Sequence, residues 1–135
     1  MSAPAYPLTL YVDDACPLCH AEMSGLAARD REGRLRMLDC SAPGFRDADG
    51  AAAGLSQAAL LHRIHARDAQ GRWLDGIPVF ADAYEAAGFP AFARLLRVRA
   101  LRPVLDLGYA LVVDHRRALV RLGAARLLAW LLRAR

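Results

Sequence analysis

The sequence contains no lysine, and all 18 of its basic residues are arginine. We attribute this uniformity to a GC-rich coding sequence rather than to a function. The chain also lacks any stretch of about 18 uncharged apolar residues, which excludes a transmembrane helix. Its first residues, Met-Ser-Ala-Pro-Ala-Tyr-Pro, have neither a basic region nor a long apolar stretch, so we do not expect a signal peptide. From these absences we expect a cytoplasmic protein.

The arginines are concentrated towards the C-terminal end of the chain. Residues 1–94 hold 9 Arg against 12 Asp and Glu, a net charge of −3, whereas residues 95–135 hold 9 Arg against 2 Asp, a net charge of +7. A basic tail can bind nucleic acid or acidic lipid. Because the arginines alternate with leucines and no aromatic stacking platform accompanies them, we expect no nucleic-acid partner. Peripheral contact with a membrane surface stays open as an alternative.

Cysteine is scarce as well, with only three in the chain. In a cytoplasmic protein such cysteines are more often redox-active or metal-binding than part of structural disulfides. Cys16 and Cys19 are separated by Pro17 and Leu18. This spacing places both thiols within one helical turn, where they can form a disulfide or bind a metal.

The apolar pattern predicts an α/β chain, and 135 residues with 56% apolar content suffice for one domain. The predicted elements are a strand over 8–12, a helix from 17 to about 31, a strand over 35–38, an irregular connection over 41–54 with a helical turn near Phe45, a hairpin of strands over 60–66 and 72–74, and helices over 78–87 and 92–99. The first two strands are expected to be parallel. Pro78 is expected at the start of its helix rather than in a cis peptide bond.

This order is that of a thioredoxin-like fold, a mixed sheet of about four strands with the cysteine pair at the N-terminus of the first helix. We expect a single domain, with a core over about 6–94 and a helical C-terminal extension over about 95–135. In the extension, one apolar stripe contains Leu111, His115, Leu119 and Leu122, and a second contains Leu127, Leu128, Leu131 and Leu132, opposite Arg126, Trp130 and Arg133. Because Arg117 and Arg121 would fall on the leucine side of a continuous helix, a break is expected near Gly123.

The position of the pair predicts its chemistry. Unpaired N–H groups and the positive end of the helix dipole stabilise a thiolate at a helix N-terminus. We therefore expect Cys16 to attack a substrate disulfide and form a mixed disulfide. Cys19 then displaces the substrate and leaves a Cys16–Cys19 disulfide.

Three alternatives stay open for the pair. The two thiols can be buried residues without a chemical role. A zinc site can draw on Cys16, Cys19, Cys40 and one of His20, His62 or His65, although the chain offers no second closely spaced cysteine pair. The run Cys16-Pro-Leu-Cys19-His20 also satisfies the short pattern for c-type haem attachment, which requires export. Cys40 by itself is interpreted as a small buried hydrophobe.

The sequence resembles the DCC-type thiol-disulfide oxidoreductases, a thioredoxin-like family. The resemblance rests on the segment Asp13-Asp14-Ala15-Cys16-Pro17-Leu18-Cys19, in which Asp14 stands where the family pattern has glycine. It continues in Gly71 at the hairpin turn, in Asp75-Gly76, and in Tyr109 followed by His115-Arg116.

By this resemblance Asp13, Cys16 and Cys19 carry the activity, with a disulfide- or thiol-containing protein or small molecule as substrate. No cofactor is expected beyond the redox-active disulfide itself. Asp13 and Asp14 are alternatively helix caps, and one of them can take the proton of Cys19 through water. A hypothesis from another class is a non-catalytic interaction module that binds a partner or a membrane surface through its Arg- and Leu-rich tail.

Overall fold

The computed structural model describes residues 4–133. Its strands form one sheet in the order β2-β1-β3-β4. They are β1 (Leu8–Val12), β2 (Leu35–Asp39), β3 (His65–Arg67) and β4 (Trp73–Asp75). Strand β1 is parallel to β2 and antiparallel to β3, and β3 is antiparallel to β4. The predicted mixed sheet is confirmed, and it is compatible with a thioredoxin-like fold.

Seven α-helices surround the sheet in the described range. They are α1 (Pro17–Arg29), α2 (Ala48–Ala52), α3 (Gln57–His62), α4 (Ile77–Ala86), α5 (Pro90–Leu96), α6 (Arg102–Arg121) and α7 (Ala124–Arg133), with a 3-10 helix (Arg99–Leu101) before α6. No helix within residues 4–133 combines the length and the apolar character that a membrane span requires.

Strand β1 lies inside the sheet because almost all of its side chains are apolar. Leu8 and Leu10 are fully buried, and they pack in the main core with Met23 and Leu26 of α1. Tyr11, which lies between Leu10 and Val12 along the strand, packs in a second cluster instead, as expected from the alternation of side chains along a strand. The βαβ unit β1–α1–β2 thus fixes where the chain leaves β1 and enters α1.

The predicted hairpin is partly wrong. Its second strand is confirmed as β4, but its first strand, predicted over 60–66, is helical up to His62 and extended only from His65. The Ser56 hydroxyl accepts a hydrogen bond from the Ala59 amide at 3.1 Å and caps α3. A capped N-terminus starts a helix in a segment whose apolar run also suits a strand. His62 and His65 therefore lie on different elements rather than on one strand.

The connection over 41–54 also differs from the prediction. Its helical turn lies at Ala48–Ala52 rather than near Phe45. Asp47 caps this helix, because its carboxylate accepts a hydrogen bond from the Gly50 amide at 2.7 Å. The helical start predicted around Pro78 is confirmed, since α4 begins at Ile77 and Pro78 lies in its first turn.

The break predicted near Gly123 is confirmed. Helix α6 ends at Arg121, and Gly123 has a φ of 87°, a left-handed conformation that glycine adopts without steric cost. The chain then turns back so that α7 packs on α1, where Leu132 lies against Gly25. The predicted leucine face of α7 divides: Leu128 and Leu132 pack on the core, whereas Leu127 and Leu131 are exposed.

Candidate active site

The cysteine pair lies where β1 leads into α1. Cys16 is the N-cap residue of α1, Pro17 is the first helical residue, and the Cys16 carbonyl accepts a hydrogen bond from the His20 amide at 2.9 Å. Both cysteines are partly buried and neither is in a disulfide. The Cys16 side chain nevertheless lies close enough to Cys19 to raise the pKa of that thiol. The structure therefore brings the two predicted thiols together at the start of the helix.

The two thiols differ in their surroundings. Burial raises the pKa of Cys19 to about 12, and the neighbouring Cys16 side chain acts in the same direction. The positive charge of Arg116 lowers the pKa of Cys19, while the negative charge of Asp13 raises it. At neutral pH Cys19 is therefore a protonated thiol, and any reaction that uses its sulfur has to remove the proton.

Arg116 connects α6 to this site. Its Nη1 lies 3.9 Å from Oδ2 of Asp13, and the same nitrogen donates a hydrogen bond to the Leu61 carbonyl at 3.3 Å. The Asp13 side chain is only 17% exposed, so this ion pair is shielded from solvent on one side. The predicted site residue Asp13 is thus held beside the pair by a residue from a distant part of the chain.

Asp14 does not cap α1, and neither does Asp13. Helix α1 has Cys16 as its N-cap and no side-chain capping hydrogen bond. Asp14 instead contacts His20, with 2.5 Å between Oδ1 and Nδ1, and its amide donates to Oδ1 of Asp39 at 3.2 Å. Within residues 4–133 no residue other than glycine has a positive φ, so aspartate at position 14 introduces no left-handed strain.

Two cavities meet at the pair. The first, called the apolar cavity, has a volume of about 550 Å³ and lies between α1, α4 and α6. Its lining includes Cys19, Glu22, Tyr84, Tyr109 and Val112. The second, called the basic cleft, has a volume of about 390 Å³. Its lining consists of Asp13, Ala15, Cys16, Pro17, Arg116, Arg117, Val120 and Arg121. Cys19 thus lines the apolar cavity and Cys16 the basic cleft, while Asp13 and Arg116 border both.

Glu22 is a carboxylic acid in the wall of the apolar cavity. Its Oε1 accepts a hydrogen bond from the Tyr84 hydroxyl at 2.9 Å. Burial raises the pKa of Glu22 to about 7, and the hydrogen bond from Tyr84 partly offsets that rise. Glu22 is not among the site residues predicted from the sequence. Its position one helical turn after Cys19, on the same face of α1, is the signal that predicts it.

The contacts of Tyr109 and Cys40 hold elements of the fold together. The Tyr109 hydroxyl accepts a hydrogen bond from the Ile64 amide at 2.8 Å, which joins α6 to the start of β3. Cys40 is fully buried in the second cluster with Tyr11 and Leu60. Burial raises the pKa of the Cys40 thiol to about 12.

Among the described residues, no group of three or more His, Cys, Asp or Glu side chains is placed to hold a metal ion. The zinc ligands considered from the sequence are therefore not brought together.

Comparison with known proteins points to one family. The family model described as DCC1-like thiol-disulfide oxidoreductase matches residues 10–122. A curated protein of Arabidopsis thaliana, named as an uncharacterized chloroplastic protein, is 23% identical over 112 residues. This alignment covers 82% of the chain and 51% of the relative, so the chain spans about half the length of the curated relative that it matches. No solved structure gives a significant match.

Proposed function

The chain belongs to the DCC1-like thiol-disulfide oxidoreductase family, and we propose that it exchanges thiols and disulfides through Cys16 and Cys19. The observation that carries the proposal is the proximity of the two side chains at the N-terminus of α1. Their separate surroundings support different roles for them. Cys16 borders a cleft that contains arginines, whereas Cys19 is a buried, protonated thiol.

The first step is attack by Cys16. The start of α1 offers unpaired N–H groups and the positive end of a helix of 13 residues, which stabilise a thiolate. The thiolate attacks one sulfur of the substrate disulfide, and the other sulfur leaves as a thiolate. The product of this step is a mixed disulfide between Cys16 and half of the substrate.

The second step requires Cys19 to lose its proton. We assign the acceptor as Asp13, because its negative charge acts on Cys19 and its side chain is partly buried beside the pair. Arg116 stabilises the thiolate that forms, since its positive charge lowers the pKa of Cys19. The Cys19 thiolate then attacks the Cys16 sulfur and releases the second half of the substrate. The protein gives up two electrons, and the substrate disulfide becomes two thiols.

The direction of exchange depends on the compartment. We propose the cytoplasm, where thiols are kept reduced. There the reduced pair donates electrons, and the reaction runs towards reduction of the substrate disulfide. The substrate itself is a thiol- or disulfide-containing protein or small molecule.

A redox titration tests the proposal. The purified protein is equilibrated in dithiothreitol buffers, its thiols are trapped by alkylation, and its intact mass and disulfide position are measured. We expect a reversible two-electron transition between about −270 and −120 mV, with the bond mapped to Cys16 and Cys19. Absence of that disulfide at every potential would overturn the proposal.

Variants of Cys16, Cys19 and Asp13 test the two steps of the reaction separately. Cys16→Ser abolishes exchange, whereas Cys19→Ser accumulates the mixed disulfide at Cys16. Asp13→Asn also accumulates the mixed disulfide because resolution slows while attack continues. Glu22→Gln is the matched control, since it removes the other carboxyl group in the wall of the apolar cavity. Equal accumulation in the Asp13 and Glu22 variants contradicts the role assigned to Asp13.

A second candidate function is binding to an acidic membrane surface. The observation that favours it is an exposed apolar stripe along α6 and α7, with Val104 68%, Leu107 62%, Leu122 84% and Trp130 63% exposed, in the arginine-rich part of the chain. Co-sedimentation with anionic vesicles tests it. The candidate is supported if a Cys16→Ser/Cys19→Ser variant still binds the vesicles and a Leu107→Ser/Leu111→Ser variant does not. It is overturned if the unaltered protein does not bind.

A further inference from the structure

The basic cleft borders Cys16, the attacking cysteine of the proposed function. Cys16 and Pro17 form one wall, and α6 supplies the opposite wall with Arg116, Arg117 and Arg121. The volume of about 390 Å³ lies in the range of small-molecule sites. The Val120 side chain adds an apolar contact between the arginines. A small molecule in this cleft therefore lies against both the attacking sulfur and a row of cations.

The charge of the cleft is not balanced by the protein. The carboxylate of Asp13 faces Arg116 at 3.9 Å. Arg117 and Arg121 are exposed, and neither has an ion pair within the part of the chain that the structure describes. Two guanidinium groups are thus left to attract an anion at the mouth of the cleft.

Helix stability does not account for both of these arginines. They lie four residues apart on α6, so their like charges face each other and destabilise the helix. Arg121 is in the last turn, where a cation offsets the helix dipole. Arg117 lies before that turn and has no such benefit. The two exposed guanidinium groups are therefore available to bind an anionic ligand.

We propose that the substrate of this chain is a small disulfide that carries carboxylate groups and is bound in the basic cleft. Guanidinium groups bind carboxylates through paired, charge-assisted hydrogen bonds. The inference rests on the proposed function, because it names the substrate class of the same cysteine pair. The balanced reaction converts the protein dithiol and one anionic disulfide into the Cys16–Cys19 disulfide and two anionic thiols.

Three disulfides with the same spacing between sulfur and end group test the inference on the full chain. Dithiodipropionic acid ends in carboxylates, cystamine in ammonium groups and hydroxyethyl disulfide in neutral hydroxyls. The rate at which each one oxidises the reduced protein to the Cys16–Cys19 disulfide is measured by stopped-flow and mass spectrometry. Each rate is divided by the rate of the same reagent with dithiothreitol, which removes differences in intrinsic reactivity.

We expect the normalised rate of the carboxylate reagent to exceed that of the ammonium reagent by about tenfold at low salt. The ratio falls as salt is added, because the charges on the helix surface are screened. In Arg117→Gln/Arg121→Gln the ratio falls towards 1. The matched control is Arg94→Gln/Arg126→Gln, which removes the same charge from exposed residues outside the cleft and keeps the preference.

The outcomes distinguish the two proposals. A ratio of 1 or below in the unaltered protein, with the Cys16–Cys19 disulfide still formed by the neutral reagent, overturns the substrate class and leaves thiol-disulfide exchange standing. An equal loss of preference in both double variants also overturns the site, because the effect then follows net charge. Failure of all three reagents to form the disulfide overturns the proposed function together with the inference.

Discussion

Nη1 of Arg116 lies 3.9 Å from Oδ2 of Asp13, so a residue of α6 forms an ion pair with the carboxylate that directly follows β1. The two residues act on Cys19 in opposite directions, since Arg116 lowers its pKa and Asp13 raises it. The long helix α6 is therefore part of the electrostatic environment of the cysteine pair.

Replacing Arg116 by glutamine is expected to slow the second step of exchange. Without the guanidinium group the pKa of Cys19 rises further, and less thiolate is available to resolve the mixed disulfide. A rise of one pKa unit corresponds to about a tenfold slower resolution. Quenching the reaction with acid and measuring intact mass follows the mixed disulfide directly.

Arg126→Gln is the control for the Arg116 variant, because Arg126 is exposed on α7 and borders neither cavity. It is expected to resolve the mixed disulfide at the rate of the unaltered protein. If Arg116→Gln resolves as fast as this control, Arg116 has no part in the second step.

Glu22 is expected to make the protein less stable as the pH rises. Its pKa is about 7 in the folded chain and about 4.5 in the unfolded chain, so between these values the folded state holds a proton that the unfolded state has lost. The stabilisation is complete below pH 4.5 and is lost as the pH rises to 7. The contribution of Glu22 to the unfolding free energy falls by about 3 kcal/mol over this window.

Urea denaturation at several pH values checks this dependence. Glu22→Gln removes the titrating group, so the difference in unfolding free energy between the unaltered protein and the variant changes across the window. Glu32→Gln is the matched control, because the Glu32 side chain is 67% exposed. Parallel stability curves for the unaltered protein and Glu22→Gln would show that Glu22 titrates normally.

Cys40 is expected to be inert in the folded protein. It is fully buried, and burial raises the pKa of its thiol to about 12. Iodoacetamide should label it only after denaturation. Cys40→Ala should leave formation of the Cys16–Cys19 disulfide intact and lower the unfolding free energy by about 1 kcal/mol. A disulfide that includes Cys40 in the oxidised native protein contradicts this prediction.

Gly25 is expected to resist even the smallest side chain. A Cβ there would lie 2.5 Å from Cδ1 and 3.0 Å from Cβ of Leu132, so the Leu132 side chain or α7 itself would have to move. Overpacking of this kind costs about 1–3 kcal/mol. The loss is expected although alanine is favoured over glycine in a helix by about 1 kcal/mol.

A double-mutant cycle in urea measures the contact between Gly25 and Leu132. Gly25→Ala combined with Leu132→Ala should destabilise less than the sum of the two single changes, because the truncated leucine leaves room for the new methyl group. Gly108→Ala is the matched control in α6, where nothing lies within 4 Å of the added Cβ, and it should stabilise slightly. Strict additivity contradicts the contact.

The unit β1–α1–β2 could be predicted from the sequence because its signals are local. A continuous apolar strand, Pro17 at the first helical position and a second short apolar run each leave few alternatives. The apolar residues of helix α3 could not distinguish a helix from a strand, since short apolar runs are compatible with both structures. Its start depends on one hydrogen bond from the Ala59 amide to the Ser56 hydroxyl.

The residues of the site likewise fall into a group that the sequence predicts and a group that it does not. Cys16, Cys19 and Asp13 are close in sequence, so their proximity follows from a single turn of chain. Arg116 and the Tyr84 partner of Glu22 reach the site only because α6 and α4 pack beside α1. Such contacts depend on the tertiary arrangement, and no spacing along the sequence indicates them.

The separation of the two sulfurs between two cavities has a thermodynamic consequence. A disulfide between Cys16 and Cys19 alters one wall of the apolar cavity and one wall of the basic cleft at the same time. A molecule that fills the apolar cavity more tightly in one oxidation state must, by reciprocity, favour that state. Each 1.4 kcal/mol of such a difference moves the midpoint potential by about 30 mV. Any such ligand of the apolar cavity would therefore shift the midpoint potential of the cysteine pair.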